Sequence, residues 1–343
     1  LNKSISIKEK IHGEFHDEIA TSLIFIGDLY HLKGEYQKSE EAFKRSKNIY
    51  INLFGENHPE VANLLNWLGI LYEDIGEYEK AEFSLKKALN IYEESFGKTN
   101  PDITIPLNWL AYYYLNQDKF SESEKYLNRA ISILENSFGK DHPKISEQLW
   151  TKNQIYIRIG RYDKAEEIFL KSLKIAEEFY GNDHVEVARN FKDLGELYLQ
   201  QNSFKKAEKY FIKALKIYEE KLDQNSPYIS ALLTFLADVY SRQENYTKSE
   251  EIYLRAIKID QNNFGLNHPE IAITYRFLAT DYLMDSKYKK AEELLLNSLI
   301  INENYFGNNN PIIIQDLNTL GELYFQKGEY RKSQNFYERS LKI

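Results

Sequence analysis

Residues 55–96 read GENHPEVANLLNWLGILYEDIGEYEKAEFSLKKALNIYEESF, and variants of this 42-residue phrase recur from one end of the chain to the other. Apolar residues return every three or four positions through VANLLNWLGILYEDIG and again through YEKAEFSLKKALNIYEESF, so each half is predicted to be an amphipathic helix. Pro59 suits the first helical position, where a missing N–H costs nothing, and His58 before it is placed to cap. Gly76 sits where the two helices turn back on each other, and a positive φ is expected there.

Sliding the chain by 42 assigns all 15 of its glycines. Gly13, Gly55, Gly97, Gly139, Gly181, Gly265 and Gly307 form one column, broken only by Asp223. Gly27, Gly69, Gly195 and Gly321 form a second, and Gly34, Gly76, Gly160 and Gly328 a third. Six of the seven prolines share a further column, which leaves Pro106 inside a predicted helix, where it should kink the helix or move its start. The repeat units are therefore 13–54, 55–96, 97–138, 139–180, 181–222, 223–264, 265–306 and 307–343, preceded at 1–12 by the end of a helix. Two columns, headed by Ala81 and Ala88, hold only Ala or Ser in all eight units, as expected where helices cross closely, and Tyr72 heads a column that is Tyr throughout.

Leu65, Leu68, Gly69, Tyr72, Gly76, Tyr78, Ala81, Leu85 and Ala88 together resemble the tetratricopeptide repeat, and the G-x-x-H-P-x-V/I-A junction of Gly55–Ala62 and Gly265–Ala272 resembles the 42-residue units of kinesin light chains. The resemblance implies an all-α fold, a right-handed α-solenoid of tandem helix-turn-helix hairpins over residues 1–343, whose concave wall of first helices binds protein or peptide segments. Both ends fall inside a second helix of a hairpin. The expectation is a piece of a longer array or multidomain protein, with a route to self-association through uncapped ends.

Composition excludes other classes. With 44 basic and 52 acidic residues the net charge is −8, which disfavours nucleic acid or an anionic membrane as partner. There is no cysteine, hence no disulfide or thiol chemistry, and a cytoplasmic setting is expected. No apolar run is long enough for a membrane span. Five of the seven histidines, His16, His58, His142, His184 and His268, share the helix-entry column with Asn100, Ser226 and Asn310, an interchange that caps tolerate and metal ligands do not. No catalytic motif, metal site or cofactor loop is found, so the chain is expected not to be an enzyme.

The binding candidates are the first-helix columns headed by Asn63, Asn66, Ile70, Glu73 and Asp74, which vary where packing columns do not. They supply the expected groove residues Asn66, Asn108, Tyr112, Trp150, Gln154, Arg158, Arg189, Lys192, Arg242, Arg276 and Asn318. An amide such as Asn66 can both donate to and accept from a peptide backbone. From Pro143 to Asn302 the wall offers Arg158, Arg189, Lys192, Arg242 and Arg276 against Glu147, Glu196 and Asp238, which points to a partner segment carrying acidic residues. A chaperone-cofactor carboxylate clamp is disfavoured, since Glu196 follows Lys192 by one turn. Trp67 and Trp109 share a column with Phe25, Phe235 and Phe277 and should pack between repeats, whereas Trp150, one column over, should face the groove. Lys152 and Asn153 occupy positions held elsewhere by Leu68 and Gly69, so Lys152 must snorkel or distort its hairpin, and residues 101–160 should deviate most from regular geometry. The expected function is a non-catalytic scaffold or adaptor. The alternative is a regulatory array of a larger effector whose catalytic domain, a caspase-like protease or an NTPase, lies elsewhere.

Overall fold

A computed structural model describes residues 2–343 and, among them, only helices joined by short turns. Contacts divide the chain into two compact units, Leu1–Ala165 and Glu166–Ile343. The first holds α1 (Asn2–His12), α2 (Asp17–Leu32), α3 (Tyr36–Phe54), α4 (Pro59–Asp74), α5 (Tyr78–Phe96), α6 (Thr104–Asn116), α7 (Phe120–Phe138), α8 (Ser146–Arg158) and the first residues of α9 (Tyr162–Tyr180). The second continues α9 and adds α10 (Val185–Gln200), α11 (Phe204–Lys221), α12 (Pro227–Arg242), α13 (Tyr246–Phe264), α14 (Pro269–Met284), α15 (Tyr288–Phe306), α16 (Ile314–Gln326) and α17 (Tyr330–Ser340). In the first unit α2 pairs with α3, α4 with α5 and α6 with α7 as hairpins, in the second α10 with α11, α12 with α13, α14 with α15 and α16 with α17, and successive hairpins of a unit stack, as α3 does on α4 and α13 on α14.

The periodic columns explain this architecture position by position. Gly76 has φ +79°, and in units without that glycine Asp118, Asn202, Glu244 and Ser286 take the same left-handed turn at φ 54–60°. Gly195 is needed for a different reason: a Cβ there would lie 2.4 Å from the ring of Phe211, so the hairpin closes only around a bare backbone. Where Asp223 interrupts the first glycine column, α11 ends at Lys221, Leu222 is extended, and the Asp223 carboxylate accepts the Asn225 N–H at 2.8 Å, closing the loop without a positive φ.

All eight helix-entry residues cap. Nδ1 of His16, His58, His142, His184 and His268 accepts the N–H two residues on at 3.2–3.3 Å. Asn100, Ser226 and Asn310 do the same with side-chain oxygens. The prolines behave in two ways. Pro59, Pro227 and Pro269 begin α-helices, whereas Pro101, Pro143 and Pro311 begin a single 3-10 turn with the α-helix starting three residues later. The start of α6 is thus displaced as expected with Pro106, but α8 and α16 show the same opening with no internal proline, so Pro106 is not its sole cause.

Seven hydrogen bonds tie the stack together. The hydroxyls of Tyr72, Tyr114, Tyr156, Tyr198, Tyr240, Tyr282 and Tyr324 donate to Glu40, Glu82, Glu124, Glu166, Glu208, Glu250 and Glu292 at 2.5–3.2 Å, each running from the first helix of one repeat to the second helix of the repeat before it. Lys80, Lys206 and Lys248 lay their ammonium groups over the Tyr72, Tyr198 and Tyr240 rings at 5.5, 4.6 and 3.9 Å. Burial, then the adjoining carboxylate, raises the phenols of Tyr72, Tyr114, Tyr198, Tyr240, Tyr282 and Tyr324, that of Tyr324 to about 12, so each of these remains a donor at neutral pH.

Candidate functional site

The expected groove residues do not form one uniform lining. Short amides sink and long side chains rise, because the first helices of neighbouring repeats touch, α4 with α6 and α6 with α8. Asn66 is 1% exposed and neither amide atom has a hydrogen-bond partner; Asn108 is also buried, with its carbonyl oxygen unpaired. The expectation that Asn66 presents an exposed amide is therefore corrected. Tyr112 and Gln154 are half-buried, Arg158 and Asn318 exposed. Trp150 is 38% exposed and stacks on Tyr112 with ring centroids 6.1 Å apart, making an aromatic shelf in the first unit. Trp67, by contrast, stacks on Phe43 and meets Trp109, which is the packing role its column suggested.

The lysine that breaks the pattern snorkels. Lys152 Nζ reaches the Asn128 side-chain oxygen at 2.9 Å and Glu124 at 3.5 Å, while Asn153 is fully buried with both amide atoms unpartnered.

Basic residues that a count along the columns presents as a positive wall are neutralised in place. Arg158 donates to the Leu115 carbonyl and Asn116 and lies 3.8 Å from Asp118. Arg189 pairs with Glu186 at 3.1 Å, Lys192 with Glu196 and, at 3.5 Å, Asp193, and Arg242 with both oxygens of Asp238 at 3.1 Å. Arg276 reaches the fully buried Asp316 at 3.3 Å, which also accepts from Ser298 and Asn302. Column arithmetic misses these pairs because the acids stand one turn along the same helix or on the next repeat.

A deep concavity in the second unit lies elsewhere than the expected residues. A cavity of 690 Å³ opens between the first turns of α12 and α14, above the end of α13. Its walls are Tyr228, Phe235, Phe264 and Phe277, with Ala231 and Ile273 between them. Its polar groups are Asp238, Asp260, His268, Glu270 and small hydroxyls. Six of these residues, Ala231, Thr234, Phe235, Asp238, Ile273 and Phe277, belong to first-helix columns already singled out. Asp260 and Tyr228 were missed, and the signal was a break in register: Asp260 stands where other units have the buried Tyr50, Tyr92 and Tyr218, and Tyr228 where they have Glu60, Glu186 and Glu270.

Family models described as tetratricopeptide repeat match residues 18–94, 154–220, 228–299 and 285–343, and a second of the same description matches 107–144. The chain belongs to the tetratricopeptide-repeat family. No curated protein sequence matches it. Among solved structures, this tetratricopeptide-repeat protein is similar to a Podosopora anserina putative kinesin light chain with nearly identical repeats (TM-score 0.51, 18% identity, 60% of this chain and 96% of that one). It is also similar to aspartyl phosphate phosphatase F of Bacillus subtilis (0.53, 14%, 94% and 93%). A third is a Pyrococcus horikoshii signal-transduction ATPase with a tetratricopeptide repeat sensor (0.57, 18%), matched over 95% of this chain but 48% of that one. At these identities the likeness is one of fold.

Proposed function

We propose that this tetratricopeptide-repeat chain is a non-catalytic module that holds an extended or helical segment of a protein partner against the exposed faces of its first helices, as a scaffold or adaptor. The observation that carries this reading is the exposed aromatic surface among columns that are otherwise packed: the Trp150–Tyr112 shelf in one unit and the aromatic-walled cavity in the other. Exposed Trp and Tyr are the side chains that most often anchor protein interfaces. Of the expected groove set, Trp150, Tyr112 and Gln154 supply contact area, and Asn318, Arg158 and Arg189 supply rim polarity. Because each of the five basic heads already has an acidic neighbour, shape and aromatic contact carry recognition more than a positive field does; an acidic segment would have to compete with Glu186, Glu196, Asp238 and Asp316.

A second reading is favoured by one observation, the similarity of 95% of this chain to the sensor-bearing Pyrococcus ATPase. There the same surfaces would receive a signal and bias a neighbouring catalytic domain. Affinity capture with the wild-type chain, Trp150→Ala and Arg189→Glu in parallel tests the binding reading. A partner retained by wild type and lost by Trp150→Ala supports it, and a set of captured proteins identical across all three baits overturns it.

A further inference from the structure

The cavity between α12 and α14 has the shape and charge of a subsite. Its depth comes from one sequence change. In three other units the column of Asp260 holds Tyr50, Tyr92 and Tyr218, each at most 8% exposed, and elsewhere Leu134, Ala176 and Asn302; relative to the tyrosine units the aspartate leaves the space of a phenol ring empty while itself remaining 5% exposed. Among the described residues two other aspartates are as deeply buried, and both are satisfied. Asp281 accepts from Ser241 at 2.5 Å and from Ser249, and Asp316 accepts from Arg276, Ser298 and Asn302. Asp260 has Ser230 beside it, and Glu270 faces the same space; Lys192 lies 5.4 Å over the Phe235 ring but pairs with Glu196, no lysine or arginine is among the lining residues, and no ion pair to Asp260 or Glu270 is found among the described residues. His268 is engaged in its own helix cap, its Nδ1 accepting the Glu270 N–H at 3.3 Å. Asp238 is spent on Arg242.

We propose that this cavity receives a lysine or arginine side chain of the bound segment, its charged head at Asp260 and Glu270 and its aliphatic stem against Phe235 and Phe277. The inference rests on the peptide-binding reading above and specifies one contact of it. An uncompensated buried carboxylate is costly, and burial pushes the Asp260 carboxyl above its usual range, with the Ser230 hydrogen bond and His268 opposing; a cation returns what burial removed. Aromatic walls suit the same guest, since ammonium and guanidinium groups are drawn to ring faces and their stems are apolar. The site thus selects a sign opposite to the one the arginine count suggests.

Selection of a displayed library of random twelve-residue peptides on the intact chain tests this. The expected result is enrichment of peptides sharing one Lys or Arg flanked by apolar residues, whose affinity falls at least tenfold in Asp260→Asn and again in Asp260→Tyr. The second variant restores the residue of three sister units, so its folding is safeguarded, and it fills the cavity without relying on charge alone. Enriched peptides that lack a shared cation, or that bind both variants as tightly as wild type, overturn the subsite and leave the peptide-binding reading standing. A library that yields no binder overturns both.

Discussion

Gly195 and Asp193, two residues apart on α10, show how much one side chain decides here. A Cβ at 195 would sit 2.4 Å from the Phe211 ring, which is itself fully buried and has nowhere to retreat. Gly195→Val should destabilise the second unit by about 1–3 kcal/mol, the usual range for overpacking, measurable as a fall in the midpoint of urea unfolding; a variant as stable as wild type would show that α10 and α11 part without cost. Asp193 stands where Trp67, Trp109, Phe235 and Phe277 stand in other units. Burial pushes its carboxyl up to about 6, although Lys192 beside it pulls the other way. A folded-state pKa above the unfolded one means that the folded chain holds more protons between about pH 4 and pH 6, so this group favours folding at low pH and that contribution fades as pH rises through 6. Asp193→Asn should flatten that part of the stability–pH curve, and an unchanged slope between pH 4 and 6 would place the titration elsewhere.

At the scale of a helix pair, the tyrosine column joins neighbouring repeats through one hydrogen bond per junction. Tyr198→Phe removes the donor to Glu166 while keeping the ring, and should cost about 1 kcal/mol, the net worth of a typical hydrogen bond. The matching variant Glu166→Gln, which can still accept, should cost less, and equal losses from both would argue that packing rather than the hydrogen bond is at stake. Hairpins, caps and the turn glycines were legible in the sequence because each depends on spacing within one 42-residue unit. The rung was half legible. Seven glutamates in register from Glu40 to Glu292 are plain in the sequence, but their partner lies 32 residues ahead on a different helix, and only the packed geometry names it. The groove was less legible still. Exposure of a first-helix position depends on the size of its neighbours, so Asn66 sinks, Trp150 stands out, and the cavity appears at Asp260 on a second helix, outside the first-helix columns.

Within each unit, a hairpin meets chiefly the hairpins next to it, and stability in such arrays is close to a sum of repeats and nearest-neighbour junctions. No helix among the described residues is long and apolar enough to cross a membrane. Damage should then stay local. Tyr240→Phe breaks the rung between Glu208 on α11 and α12, the helix that also lines one side of the cavity. Hydrogen exchange followed by mass spectrometry should show faster exchange in peptides covering α11 to α14, with those covering α2 to α5 unchanged. Should the first unit's amides speed up equally, opening is concerted over the entire array, the nearest-neighbour account fails, and a ligand seated at Asp260 would be felt from one end of the chain to the other rather than only at its own junction.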